Sequence, residues 1–124
     1  MGLVLVAIGG FFGSIARFTV GIKWNNLETY KPYGTWIANV SGSMLLGIIF
    51  VLLEHNLISN WIWLILGAGF CGAYTTFSTF GTEALSMLLA KKYKKALFYI
   101  LSSLVVSLFI IIIIILIGNT LNLN

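Results

Sequence analysis

Four apolar segments, each long enough to cross a lipid bilayer, make up most of this chain. They cover residues 3–22, 33–53, 61–90 and 97–118. A membrane-spanning helix needs about 20 largely apolar residues, because the hydrocarbon core of a bilayer is about 30 Å thick. Only 8% of the 124 residues are charged, whereas a soluble domain carries about 25%. We therefore predict an all-α integral membrane protein with a single domain, residues 1–124, and four crossings.

The third apolar segment is too long for one straight helix and is polar in its second half. Residues 61–90 would extend about 45 Å as an uninterrupted helix. Residues 72–83 read Gly-Ala-Tyr-Thr-Thr-Phe-Ser-Thr-Phe-Gly-Thr-Glu. Hydroxyls and irregular backbone are tolerated at membrane depth only against protein or a hydrated cavity, and broken helices often build ion sites. We predict that this segment crosses once, is broken near residues 73–80, and carries the functional site.

Small residues recur at four-residue spacing in three of the segments. Such ridges allow helices to approach closely in lipid, where packing and hydrogen bonds drive association. We expect a tightly packed bundle and assign these positions no chemistry. They are Gly9 and Gly13; Gly34, Ala38 and Gly42; and Gly67 and Cys71.

Hydrogen-bond donors recur within the predicted spans. Asn39 lies in the second span and offers two amide N–H groups. A stripe of hydroxyls follows one face of the fourth span at four-residue spacing: Tyr99, Ser103 and Ser107. An isolated membrane Asn more often makes an interhelical hydrogen bond, and a single Ser usually bonds its own backbone. Three aligned hydroxyls are less easily explained in that way.

The remaining polar, charged and aromatic residues of the spans indicate which charge of ion the site prefers. Phe77 and Phe80 would share a face if the helix has resumed there, with ring edges that carry partial positive charge. Taken alone, the two rings are equally consistent with core packing. Glu83 is the one carboxylate in the polar segment, and Arg17 lies near the end of the first span. Cation paths normally place acidic or histidine side chains within the spans, so this inventory favours a small, strongly hydrogen-bonding anion.

Other function classes find little support in the sequence. We find no nucleophile–base pair, phosphate-binding glycine loop or redox motif, so we predict no enzymatic activity. The net charge of +4 arises mostly from loop lysines. In a membrane protein such lysines report orientation and contact with lipid headgroups, and we expect membrane lipid, not nucleic acid, as a partner.

Three of these motifs, taken together, resemble the CrcB (Fluc) family of fluoride channels. They are GGFFGSIARF at residues 9–18, GTWIANVSG at 34–42 and GAYTTFSTFGTE at 72–83. The resemblance extends over nearly the whole chain. It implies two four-helix subunits packed antiparallel as a dual-topology dimer in the plasma membrane, with two fluoride pathways along their interface and passive fluoride efflux as the biological role.

The resemblance also implies roles for individual residues. Residues of the fluoride pathway would be Asn39, Phe77, Phe80, Thr79, Tyr99, Ser103 and Ser107. A structural sodium ion at the dimer centre would be held by the backbone carbonyls of Gly72 and Thr75. Arg17 and Glu83 would have vestibular or structural roles.

The distribution of lysines bears on the partner subunit. The first and third loops contain six lysines: Lys23, Lys31, Lys91, Lys92, Lys94 and Lys95. The second loop, residues 54–60, has no Lys or Arg and only His55. This bias predicts cytoplasmic lysine loops and both termini outside. Because single-gene dual-topology proteins are expected to be nearly balanced, it favours a heterodimer with an oppositely oriented paralogue, with a homodimer as the alternative.

Two other classes of function remain open from the sequence. A small multidrug-resistance-type exporter also has four helices, but it relies on a glutamate in its first helix, where this chain has Arg17 and no acid. A non-transporting membrane scaffold would use the polar stripes as contacts between helices. Fluoride flux from liposomes, with and without a proton gradient, distinguishes these classes.

Overall fold

The computed structural model describes residues 1–26 and 28–121, which are helical apart from loops and one short hairpin. The elements are α1 (Gly2–Trp24), β1 (Asn25–Asn26), β2 (Lys31–Pro32), α2 (Tyr33–Glu54), α3 (Asn60–Ile62), a π-helical segment (Trp63–Cys71), α4 (Gly72–Tyr74), α5 (Ser78–Leu89) and α6 (Tyr93–Thr120). Four stretches are long and apolar enough to span a membrane: Gly2–Trp24, Tyr33–Glu54, Asn60–Leu89 and Tyr93–Thr120. The prediction of an all-helical membrane protein with four spans is confirmed.

The helix of the fourth span, α6, begins earlier than the apolar pattern predicts. α6 begins at Tyr93 and includes Lys94 and Lys95, whereas the predicted apolar span begins at residue 97. Its 28 residues extend about 42 Å, well beyond the hydrocarbon core. Lysines near a helix end keep their ammonium groups at the interface while their stems cover apolar surface. The helix therefore continues past the apolar span without placing charge in lipid.

Contacts between loops place the lysine-bearing loops at one end of the bundle. β1 and β2 pair antiparallel and close the first loop. The Nζ of Lys95 donates to the carbonyl of Thr29 at 2.8 Å, which joins the start of α6 to that loop. At the opposite end, Nε2 of His55 lies 2.9 Å from the carbonyl oxygen of Gly118. The four spans therefore alternate in direction, and α1 begins at the end where α6 finishes.

Small residues allow α1 to lie directly against the π-helical segment. A Cβ atom at Gly9 would collide with the carbonyl oxygen of Ile65, and one at Gly13 with the carbonyl oxygen of Phe70. These approaches bring backbone against backbone, which only glycine permits. All seven small residues of the predicted ridges are buried, so the prediction of close packing is confirmed.

The buried core of the second half lies between α5 and α6. It contains Phe80, Ala84, Met87, Ala96 and Tyr99. Two of these residues, Phe80 and Tyr99, are also predicted site residues, and their ring centroids are 5.2 Å apart. The core therefore fixes the position of the aromatic part of the site.

Candidate functional site

The third span changes direction between α4 and α5, and we call residues 75–77 the break. Thr75 has an extended backbone, with φ −80° and ψ 156°, and α5 begins at Ser78. The hydroxyl oxygen of Thr76 accepts a hydrogen bond from the N–H of Thr79 at 3.2 Å. Short hydroxyl side chains compete in this way with the helical ladder, which explains why a Thr-Thr-Phe-Ser-Thr sequence interrupts the helix here.

Asn39 of α2 binds the backbone of the break through both ends of its amide. Its Nδ2 donates to the carbonyl of Thr76 at 3.0 Å, and its Oδ1 accepts from the N–H of Thr76 at 2.7 Å. These bonds replace helical hydrogen bonds that the break removes. Since Nδ2 carries two hydrogens, one N–H of Asn39 remains for another acceptor.

A groove of ≈ 330 Å³ runs along α2, the break and α6. Polar and aromatic residues of these elements and of α5 line it: Asn39, Ser43, Phe77, Phe80, Ser103 and Ser107. Phe77 is 82% exposed and Phe80 is 8% exposed, with ring centroids 6.2 Å apart. The groove is therefore walled by the chain on one side and open on the side of Phe77. We call it the Asn39 groove.

Two buried hydroxyls of α6 have no hydrogen-bond partner within residues 1–26 and 28–121. They are Tyr99 Oη and Ser103 Oγ, and both atoms are buried. An unsatisfied buried polar group costs about 1–3 kcal/mol, so such groups need an explanation in a native structure. A hydrogen-bond acceptor in the Asn39 groove would satisfy Ser103, whereas Tyr99 lines another cavity.

Glu83 lies at the inner end of a chain of hydrogen bonds that begins in β1. Asn25 Nδ2 donates to Thr35 Oγ1 at 3.1 Å, and Thr35 Oγ1 donates to Glu83 Oε1 at 2.6 Å. The backbone N–H of Thr35 returns a bond to Asn25 Oδ1 at 3.1 Å. Thr35 has no predicted role from the sequence, although it lies four residues before Asn39 and therefore on the same face of α2.

Arg17 and Thr79 lie in a different cavity. It has a volume of ≈ 450 Å³ and is also lined by Asn25, Thr35 and Thr76. Thr76 lines both this cavity and the Asn39 groove. The structure therefore divides the predicted pathway residues. Thr79 lies with Arg17, Tyr99 lines a further cavity, and the others share the Asn39 groove: Asn39, Phe77, Phe80, Ser103 and Ser107.

The carbonyls of Gly72 and Thr75 lack their usual helical partners. The N–H groups four residues further on are those of Thr76 and Thr79, and both donate to side chains. A Cβ atom at Gly72 would meet nothing within 4 Å, so this surface is open. Free carbonyl oxygens are suitable ligands for a hard cation. The residues present thus fit the predicted sodium site.

Comparison with known proteins places the chain in a family. A family model described as "CrcB-like protein, Camphor Resistance (CrcB)" matches residues 4–115. The chain belongs to the CrcB family. The matched range contains every site residue described above, from Arg17 to Ser107.

Curated relatives of this CrcB protein carry fluoride channel names. The fluoride-specific ion channel FluC of Acidobacterium capsulatum is 38% identical over 116 residues, 92% of this chain and 93% of the relative. FluC 2 of Clostridium acetobutylicum is 42% identical over 109 residues, 87% and 90% of the two chains. FluC 2 of Moorella thermoacetica is 41% identical over 107 residues, 85% and 86% of the two chains. The resemblance stated from the motifs is confirmed.

Membership of the CrcB family also answers two broader questions. The relatives are named as ion channels and not as enzymes, which confirms that enzymatic activity is not the function. With four helices that can span a membrane, the protein is a multi-pass protein of the plasma membrane.

Proposed function

We propose that this chain is a subunit of a fluoride-selective channel that carries fluoride passively out of the cell and so protects the cell from fluoride toxicity. The observation that carries the proposal is the Asn39 groove, in which neutral donors from three elements converge and carboxylates are lacking among the lining residues. The names of the relatives support fluoride as the ion.

Neutral donors suit an ion that is strongly hydrated in water. A channel must replace the lost water with ligands that bind well enough to admit the ion and weakly enough to release it. The free N–H of Asn39 and the hydroxyl of Ser103 are such ligands, and Tyr99 and Ser107 extend the series along α6. A row of single neutral donors replaces hydration stepwise without the trapping that a fixed lysine would cause.

The two phenylalanine rings complete the proposed pathway. Their edges carry partial positive charge and can face an anion. Phe80 is held in the core against Tyr99, whereas Phe77 projects from the chain and is 82% exposed. We infer that Phe77 extends towards a second subunit and that each pathway is closed by residues of both.

The polar surface of the break supports the proposal of a second subunit. Ser78, Thr79 and Thr82 are exposed on the third span, together with Phe77. Lipid offers no partner for hydroxyls or for free backbone carbonyls. An antiparallel arrangement would place the two breaks against each other near the bilayer midplane, with one Asn39 groove on each side of the contact.

The charge bias favours an oppositely oriented paralogue as that second subunit. The contact between Lys95 and Thr29 shows that the two lysine-bearing loops lie at the same end of the bundle. All six loop lysines therefore favour one orientation. A homodimer, in which half the chains insert against this preference, is the alternative.

The free carbonyls of Gly72 and Thr75 support a structural sodium ion at the centre of the dimer. When bound, the ion would supply positive charge and a shared ligand set that joins the two breaks. This chain would contribute the two carbonyls, and Asn39 would keep the break open by holding Thr76.

We further propose that the cavity of Arg17 and Thr79 is a vestibule. Its guanidinium attracts anions towards the break, and Thr76 connects the cavity with the Asn39 groove. Glu83, fixed by Thr35, has a structural role beside this route.

Fluoride efflux from liposomes tests the function. Liposomes loaded with fluoride and chloride are reconstituted with the chain alone, or with the chain and an oppositely oriented paralogue. We expect release of fluoride and retention of chloride without any proton gradient. Flux only under a proton gradient would indicate an exporter, and absence of flux in both preparations would indicate a scaffold. Flux from the chain alone, with antiparallel homodimers, would refute the heterodimer.

A further inference from the structure

A second groove follows a face of α6 that Ser103 and Ser107 do not line, and Tyr99 lies in its first part. Two cavities of ≈ 340 and ≈ 480 Å³ share Phe98 and Ser102 and so form one depression. Tyr33 and Trp36 of α2 line its first part, and Val105 lines its second. We call this depression the α6 groove.

The α6 groove and the Asn39 groove open on different sides of the helix. Ser102 of the α6 groove precedes Ser103 of the Asn39 groove by one position, and Tyr99 lines the α6 groove. Consecutive residues of a helix point roughly 100° apart. The Nε1 of Trp36 donates to Ser102 Oγ at 3.1 Å, so these two polar atoms of the wall are paired, whereas the hydroxyl of Tyr99 has no partner within the described residues. Most of the other lining residues apart from the lysines are apolar.

The length of the α6 groove matches one leaflet of a bilayer. Its lining residues on α6 run from Lys94 to Val106. At 1.5 Å per residue this distance is about 18 Å, whereas half of the hydrocarbon core is about 15 Å. The groove therefore has the dimension of a single acyl chain with its ester region.

Positive charge surrounds the outer end of the groove. Lys31 and Lys95 line its first part, and Lys94 lines its second. The ammonium group of Lys95 is held at this mouth by its bond to the carbonyl of Thr29. Glu28 is the single acidic residue that the sequence places in the two lysine-bearing loops. A headgroup at the mouth would thus meet three ammonium groups.

We propose that the α6 groove is a binding site for one anionic phospholipid. One acyl chain lies along Phe98 and Val105, and the phosphate lies between Lys31 and Lys95. Basic pockets between transmembrane helices on the cytoplasmic side are suited to anionic headgroups. Asn39, Ser103 and Ser107 do not line this groove, so lipid binding is measured separately from fluoride flux.

Native mass spectrometry tests the proposal on the purified full-length chain. The protein is mixed with equal amounts of phosphatidylglycerol and phosphatidylcholine that carry the same acyl chains. We expect preferential retention of one phosphatidylglycerol per chain. In the double variant Lys31→Gln, Lys95→Gln, the ratio of retained phosphatidylglycerol to phosphatidylcholine should fall about fivefold for each lysine removed. The matched control Lys23→Gln, Lys91→Gln removes the same charge from the same end, outside the groove, and should leave the preference unchanged.

A second pair of variants tests the apolar part of the groove. Val105→Phe fills it and should lower retention of phosphatidylglycerol, whereas Ile112→Phe lies outside the groove and should not. Both side chains are exposed, at 60% and 54%, so both variants should fold, which helical content and elution volume check. Equal retention of the two lipids, an equal effect of the control lysines, or dissociation of dimers by Val105→Phe would overturn the proposal; the last would assign the groove to a second copy of the chain.

Discussion

The third span contacts α1 on one side and α2 with α6 on the other, and the two contacts are satisfied to different degrees. Against α1, glycines bring backbone onto backbone, and the buried positions are the small residues Gly9, Gly13 and Gly69. Against α2 and α6, the Asn39 groove stays open, and two buried hydroxyls have no partner within the described residues. One contact is complete within a single chain, while the other requires further groups.

This difference assigns a structural role to the glycines that face α1 and a functional role to the unpaired polar groups of the Asn39 groove. At the contact with α1, which is complete within one chain, a substitution should lower stability. At the contact with α2 and α6, which is incomplete, removal of an unpaired group should change transport more than stability, because the group contributes little to the isolated fold. The predictions below test that separation, in order of decreasing effect.

Adding one methyl group at Gly9 should cause the largest loss of stability. In Gly9→Ala the new Cβ would collide with the carbonyl oxygen of Ile65, which belongs to backbone and cannot turn away. We expect a loss of about 3 kcal/mol or more, measured by thermal unfolding in detergent. Gly10→Ala is the matched control, since its Cβ would lie 3.8 Å from the nearest atom. Equal stability of the two variants would show that α1 and the π-helical segment do not approach each other this closely.

Removal of the Asn39 amide should affect both properties. Asn39→Ala loses a donor to the ion, and a hydrogen bond to a charged group is worth about 1.5–3 kcal/mol. We therefore expect fluoride flux to fall about 10- to 100-fold, with a smaller loss of stability from the two bonds to Thr76. Ser41→Ala, which changes a residue of α2 outside the groove, should leave flux unchanged. A similar flux in both variants would contradict the role of Asn39.

Two neighbouring serines of α6 should separate transport from stability. Ser103 Oγ has no partner within the described residues, whereas Ser102 Oγ accepts from Trp36. We expect Ser103→Ala to lower fluoride flux by about tenfold without loss of stability, and Ser102→Ala to cost about 1 kcal/mol with flux unchanged. Flux assays and thermal unfolding of the same preparations provide the measurements. The reverse pattern would place the pathway on the wrong face of α6.

Much of the fold could be predicted because it depends on local sequence. Hydropathy identifies the four spans, and four-residue spacing identifies the small residues that pack, since both are properties of a single helix. The π-helical segment Trp63–Cys71 could not be predicted, because its apolar composition is equally compatible with an α-helix. The early start of α6 was missed because lysine interrupts an apolar pattern without interrupting a helix.

The site could be predicted in composition but not in pairing. Donors in the second and fourth spans were visible, yet the bonds between Asn39 and Thr76 depend on how α2 lies against the break. For the same reason the position of Thr79 beside Arg17 could not be predicted, since the rotation of α5 follows from packing. Thr35 was overlooked because its partner, Glu83, is 48 residues away in the chain.

The central claim is that fluoride passes along the Asn39 groove. Fluoride flux through a variant of Phe80, the buried ring, tests it most directly. Phe80→Ile removes a ring edge from the pathway, and Phe70→Ile is the control, since Phe70 stacks on Tyr74 outside the groove. With equal amounts of assembled dimer in liposomes, we expect Phe80→Ile to lower fluoride efflux by about tenfold, because the partial positive charge of the ring edge is lost, and Phe70→Ile to conduct normally. Undiminished efflux through Phe80→Ile would contradict the account.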